Sequence, residues 1–221
     1  MYKSLKAVCL TTLIALPWFS PISFAAELNV RVEAYKQRPT NGLVIELVGA
    51  GTAPAVRGEF EINQLDKEFI PLLTIAGVGS SLSFNNQDQL KHHIYSVSKG
   101  NKFELPLHNG RSEKIIQLNT PGIIKLGCNI HDWMLAYVYV AESERIQIMD
   151  ASGSVKFTDL PIGDYEIKVW GPRLRNTKKP ITKSISIKEN QAQTEHIKIK
   201  LRKHIRKPSR NNQKTEYNGD G

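Results

Sequence analysis

The chain has 221 residues, 40% of them hydrophobic and 23% charged, with a formal net charge of +9. That length suits one large domain or two small ones, and the composition is that of an ordinary globular protein. Residues 198–221 hold eight Lys or Arg against Glu216 and Asp220, a local surplus of six, so the basicity belongs mostly to a tail and is not a property of the fold.

The first segment is "MYKSLKAVCLTTLIALPWFSPISFAAELNV". Lys3 and Lys6 form a positive start, residues 7–16 are mostly apolar, and Ser23-Phe24-Ala25 places small residues where a signal peptidase inspects them. The expectation is a signal peptide over residues 1–25, cleaved before Ala26, and export to the periplasm. The apolar run is too short to cross roughly 30 Å of hydrocarbon, and Pro17 and Pro21 interrupt it, so no integral membrane segment is expected in the mature chain. Cys9 leaves with the leader. Cys128 is then a lone thiol that has no internal disulfide partner.

Beyond the leader, period-2 alternation and β-branched residues dominate. "LNVRVEAY", "GLVIELVG", "VRGEFEIN", "LLTIAGVGSSLSFNN", "HHIYSVS", "KFELPL", "KIIQLNT", "GIIKLG" and "LAYVYV" follow one another as strands. After residue 142 come "RIQIMD", "GSVKFTDLP", "GDYEIKVWG", "KSISIKE" and "EHIKIKL", with turn signals such as "ASGS" and "LPIGD" between them. Short strands at regular spacing predict an all-β fold built of sandwiches. From residue 202 the chain is polar and charged, which predicts a basic disordered tail over 202–221.

"MDASGSVKFTDLPIGDYEIKVWGP" resembles one edge of the small prealbumin-like sandwiches of carboxypeptidase regulatory domains. Such a module needs N-terminal strands as well. The expected organisation is therefore a prealbumin-like sandwich from residues 26–56 plus 143–201, with a second β-domain over 57–142 inserted in it. The alternative is two consecutive domains.

The chemistry concentrates in "IIKLGCNIHDWMLAYVYV". Cys128, His131 and Met134 put a thiol, an imidazole and a thioether within seven residues. Thiolate and thioether are soft ligands suited to Cu(I), while imidazole binds both copper oxidation states; two His, one Cys and a weak axial Met form the ligand set of mononuclear blue copper. A second His must come from elsewhere, and "SFNNQDQLKHHIYSVS" offers His92 and His93. Side chains alternate along a strand, so only one of the two can face the metal. The c-type haem motif needs a second Cys that "CNIHD" lacks, and zinc sites do not normally use thioether. Trp133 and Phe84 are candidates for an apolar shell around the site, Trp170 for core, His108 for a surface loop, and Asp132 for a solvated position.

"FIPLLTIAGVGSSLSFNNQDQLKHHIYS" followed by "PGIIKLGCNIHDWMLAYVYV" resembles the cupredoxins of the plastocyanin and amicyanin type. The likeness is closest to the periplasmic plastocyanin-like proteins labelled methylamine utilisation proteins. It runs from about Ile62 to Leu174 and includes "VWGPRL". In that family the first ligand His follows a strand-ending Asn. On this chain Asn86 leads to His92, with His93 where Asn is usual and Asp132 where Pro is common. The resemblance implies a Greek-key cupredoxin sandwich and one type 1 copper held by His92, Cys128, His131 and Met134, with His93 as the alternative to His92.

The expected function is a non-enzymatic one-electron carrier that exchanges electrons with redox partner proteins. A copper delivery or sensing module is an alternative, though the mature chain has only Met134 and Met149, and such proteins tend to be rich in Met. A protein-interaction module with a vestigial copper fold is another. Nucleic acid is not an expected partner. The basic tail is a candidate for docking an acidic partner or a membrane surface.

Overall fold

A computed structural model describes residues 26–188 and 192–204; the expected leader over 1–25 and the tail beyond 204 lie outside the described residues. The strands, in chain order, are β1 (Ala26–Ala34), β2 (Val44–Gly49), β3 (Glu59–Leu65), β4 (Glu68–Ile70), β5 (Leu73–Gly77) and β6 (Ser80–Asn86). They continue as β7 (His92–Ser98), β8 (Asn101–His108), β9 (Gly110–Arg111), β10 (Ile116–Leu118), β11 (Gly122–Cys128) and β12 (Leu135–Ala141). The last are β13 (Ile146–Ile148), β14 (Ser154–Leu160), β15 (Gly163–Trp170), β16 (Ile181–Ile187) and β17 (Ala192–Ile199). The only helical element among the described residues is the single turn Tyr35–Gln37. The all-β expectation therefore holds, and the short strands β4 and β9 are additions that alternation over two or three residues cannot announce.

Four sheets result. Two come from the middle of the chain: β10-β6-β3-β4 with β9 beside β6, and β5-β12-β11-β7-β8. Their facing side chains form one core, including Ile62, Phe69, Leu82, Phe84, Ile94, Ile124, Leu126 and Val138. The other two sheets, β14-β1-β17 and β13-β2-β15-β16, join the first two strands of the described chain to the strands after residue 142. β1 runs antiparallel to β14 and parallel to β17, and β2 lies between β13 and β15.

A second core, with Leu28, Val30, Ile45, Leu47, Phe157, Ile167 and Trp170, fills this pair of sheets. It also takes in Leu135, Tyr137, Tyr139 and Ala141 of β12. All seven residues of β12 are buried, because Ala136, Val138 and Val140 face one core and the odd-numbered residues face the other. A strand covered on both faces needs apolar residues at every position, and "LAYVYVA" supplies them. Trp170 packs edge-on against Tyr137 at 5.3 Å between ring centroids and against Tyr139 at 6.0 Å. The two cores thus share a strand. At the C-terminal end Leu201 is buried against Leu174, and Arg202 donates its backbone N–H to Arg173 O at 2.8 Å.

Candidate metal centre

Loop closures at the ends of three strands assemble the site. β6 stops at Asn86, whose Nδ2 donates to the carbonyls of Leu90 and His108 at 2.8 Å each, while its Oδ1 accepts the Asp88 N–H at 3.0 Å. This side chain replaces ladder partners and turns the chain so that His92 is the first residue of β7. His92 is fully buried and points into the core between the sheets. The pleat sends His93 to the opposite face, where its Nε2 lies 2.6 Å from Glu104 Oε1. Cys128 ends β11 opposite Ile94. Just before it, Gly127 lies under the Tyr95 ring, and a Cβ there would meet that ring at 2.7 Å. The chain then turns back through a tight loop, closed by Met134 N–H donating to His131 O at 3.0 Å, and enters β12.

The structure brings together His92, Cys128 and His131, as the only His/Cys/Asp/Glu group among the described residues with metal-binding spacing. His92 Nδ1 is 3.7 Å from Cys128 Sγ and 3.3 Å from His131 Nδ1, and the remaining side of the triangle is 3.8 Å. These distances are at the long end for hydrogen bonds, and their size has a simple meaning. The point equidistant from the three atoms is about 2.1 Å from each, which is the length of a metal–imidazole bond and slightly short of a metal–thiolate bond. The triangle is close to the size that a small soft-to-borderline cation needs. Met134 is buried in the same core cluster as Cys128. His93 makes no part of this group.

Protonation is arranged to suit. Asp88 Oδ2 lies 2.7 Å from His92 Nε2, and a carboxylate accepts, so Nε2 carries the proton and Nδ1 offers its lone pair to the triangle. Burial works to raise the Asp88 carboxyl, but hydrogen bonds from His92 and from the Lys67 and Asp66 N–H groups outweigh it and hold the group below its ordinary value. Burial above all pushes the His131 imidazole below its ordinary value, toward the neutral form that binds metals. His131 is half-buried, with its ring 5.0 Å from that of His92 and 5.1 Å from that of Trp133.

Asp88 and the 66–67 turn are neighbours of the donor group that sequence reasoning missed. Asp88 sits in a polar loop with no periodicity to single it out, four residues before His92. The only available signal was the pairing of an acid with a candidate ligand at short range. Among the other expectations, Phe84 and Trp170 are fully buried and Asp132 is exposed. Trp133 packs on the core edge and donates Nε1–H to Lys67 O at 3.2 Å. His108 ends β8, half-buried and opposite His92, where a free loop position was expected.

No family model and no curated protein matches the chain. Solved structures do. A purple cupredoxin from Nitrosopumilus maritimus is similar at 23% identity over 36% of this chain and 97% of its own, with a TM-score of 0.32. A reduced Cu(I) form of an amicyanin variant is similar at 15% identity over 42% of this chain and 85% of its own, with a TM-score of 0.34. A copper-containing nitrite reductase from Thermus scotoductus is similar at 21% identity over 44% of this chain and a TM-score of 0.35; the match spans 25% of that enzyme. The last finding corrects the expectation that the chain is not an enzyme, because the proteins it is similar to include a catalyst. No helix among the described residues is long and apolar enough to cross a membrane.

Proposed function

We propose that the chain binds one copper ion in a type 1 site and carries single electrons between redox partner proteins in the periplasm. His92, Cys128 and His131 would form the trigonal set, with Met134 as the weak axial ligand. The observation that supports this most directly is the triangle of Sγ and two Nδ1 atoms, with its centre at metal–ligand distance from all three. Copper would supply the cycle between Cu(II) and Cu(I).

The chain's own residues supply the rest. The buried Cys128 places sulfur where few waters reach. His92 presents a lone pair whose direction Asp88 fixes. The ligands sit at strand ends of a packed sandwich, which resists rearrangement when the charge of the site changes. We further read residues 57–142 as the copper unit, inserted into a sandwich of 26–56 and 143–201. The pairing of β1 with β14 and β17, and of β2 with β13 and β15, supports that division. The basic residues at the C-terminal end are proposed to meet an acidic partner or membrane surface, in which case association should weaken steeply with salt.

The test is the visible absorption spectrum of the full mature chain with one equivalent of Cu(II), beside Cys128→Ser and His92→Ala. An intense thiolate-to-copper band in the parent, absent from both variants, is the expected result. A band that survives in His92→Ala would remove His92 from the ligand set. No band in the parent would overturn the proposal.

A further inference from the structure

The hairpin turn between β3 and β4 is a two-residue loop, Asp66-Lys67, because Leu65 pairs with Glu68 across it. Both residues have positive φ, at 53° and 58°. Turns of this type favour Asn-Gly, and a Lys in the left-handed region is unusual. Something must hold it there, and the structure identifies what does. Asp66 N–H donates to Asp88 Oδ1 at 2.7 Å and Lys67 N–H donates to Asp88 Oδ2 at 2.9 Å. The carboxylate, with its side chain only 11% exposed, thus grips the turn with one oxygen on each amide.

The same Oδ2 accepts His92 Nε2–H at 2.7 Å. On the other side of the turn, Lys67 O accepts the indole N–H of Trp133, whose ring stacks obliquely beside His131. One strained turn therefore supports both imidazoles, through a carboxylate on one side and an indole on the other. A turn clamp alone needs only the two backbone bonds. The third bond, to the buried ring, links the clamp to the donor triangle.

We infer that Asp88 is a positioning residue for the metal centre, which orients His92 and strengthens its Nδ1 as a donor by accepting the proton on Nε2. This rests on the copper reading above. A carboxylate behind an imidazole fixes the tautomer and ring plane and raises ligand basicity. A more basic nitrogen favours the higher-charged ion, so Asp88 stabilises Cu(II) over Cu(I) and holds the reduction potential down.

The test compares Asp88→Asn and Asp132→Asn in the full copper-loaded chain, by voltammetry and by competition for Cu(II) and Cu(I). Both variants remove one negative charge close to the site, but Asp132 is exposed and has no role in the clamp. Loss of a partner of this kind typically lowers metal affinity about 10–100-fold. Asp88→Asn should therefore weaken Cu(II) binding by that factor and Cu(I) binding less. The potential should rise, each tenfold of the difference reading as about 59 mV for one electron. Asp132→Asn should shift it far less. Equal shifts in the two variants, or none in Asp88→Asn, would overturn the inference and leave the copper site standing. A parent without a copper band would overturn both. Nitrogen-15 NMR of the metal-free parent gives a reading that needs no variant to fold. A slowly exchanging Nε2–H on His92 supports the clamp, and a freely exchanging ring or the opposite tautomer sinks it.

Discussion

A buried acid, Glu46, and a half-buried one, Asp88, invite comparison. Asp88 lies beside the donor triangle and Glu46 lies on β2 against the end of β12, and each carboxylate accepts three hydrogen bonds. Glu46 Oε1 takes the N–H groups of Glu142 and Ser143 at 2.7 and 2.9 Å, and Oε2 takes the Tyr139 hydroxyl at 2.7 Å. Asp88 likewise takes two backbone N–H groups and one side chain. The difference lies in the third partner. Tyr139 ends its network, since its hydroxyl has donated and its ring is packed against Trp170. His92 continues, because a second nitrogen on the far side of the ring faces Cys128 and His131. The same acceptor chemistry closes a junction in one place and presents a donor atom in the other.

Glu46→Leu should show the largest effect on that comparison. It strands two backbone donors and a phenol in a site that is 1% exposed, and each orphaned donor costs about 1–3 kcal/mol. A total loss of roughly 3–5 kcal/mol is expected from urea unfolding, with the copper band unchanged. A loss under about 1 kcal/mol would mean that the shared strand β12 is held by apolar packing alone. Tyr139→Phe comes next, at about 1 kcal/mol by the same measurement, because Glu46 keeps its two amide donors. Burial, and then the Glu46 charge, already push the Tyr139 phenol well above its ordinary value, which favours the protonated donor form.

On the Asp88 side, Trp133→Phe deletes the indole bond to Lys67 O but keeps the ring face toward His131. It should cost at most about 1 kcal/mol of stability and loosen copper measurably, read as a faster transfer to a chelator. An unchanged off-rate would detach Trp133 from the site.

The smallest effect belongs to an acid that is neither junction nor support. Glu195 pairs with Lys183 at 2.5 Å on the sandwich edge. Burial works to raise its carboxyl, but the Lys183 and Gln193 bonds and neighbouring charges outweigh it and hold it below the ordinary value of 4.5. A carboxyl lowered on folding adds stability above its unfolded value and loses it as pH falls through the folded value. Glu195→Gln should thus cost about 0.2–1 kcal/mol near neutral pH and nothing at pH well below 4.5. A constant difference across that range would deny the pair any electrostatic contribution.

Much of the molecule was legible beforehand. Alternation in "HHIYSVS" and "GIIKLG" located the strands, and it also required His92 and His93 to part company. The Cys128, His131 and Met134 spacing marked a candidate ligand loop because soft donors rarely gather on a tight turn by chance. The continuous apolar run of β12 read as a strand, but its two-sided burial between cores was not legible, since periodicity reports which face is apolar and not what covers it. Glu46, in "GLVIELVG", is buried and accepts the Tyr139 hydroxyl from a strand far along the chain, a pairing that local alternation does not announce.

The sequence by itself determined an all-β chain, a Cys–His–Met loop and a pair of histidines of which one must face inward. These follow from local rules: the pleat has period two, and ligand chemistry depends on residue type. Tertiary structure decided which histidine joins the triangle, how far apart the donor atoms stand and what lies behind them. Those depend on the reach of Asn86 across its loop, on the twist that brings three strand ends together, and on the Asp66-Lys67 turn meeting Asp88 more than twenty residues along the chain. Long-range contacts of that kind carry no period, so the support of the site became visible only once the chain was folded.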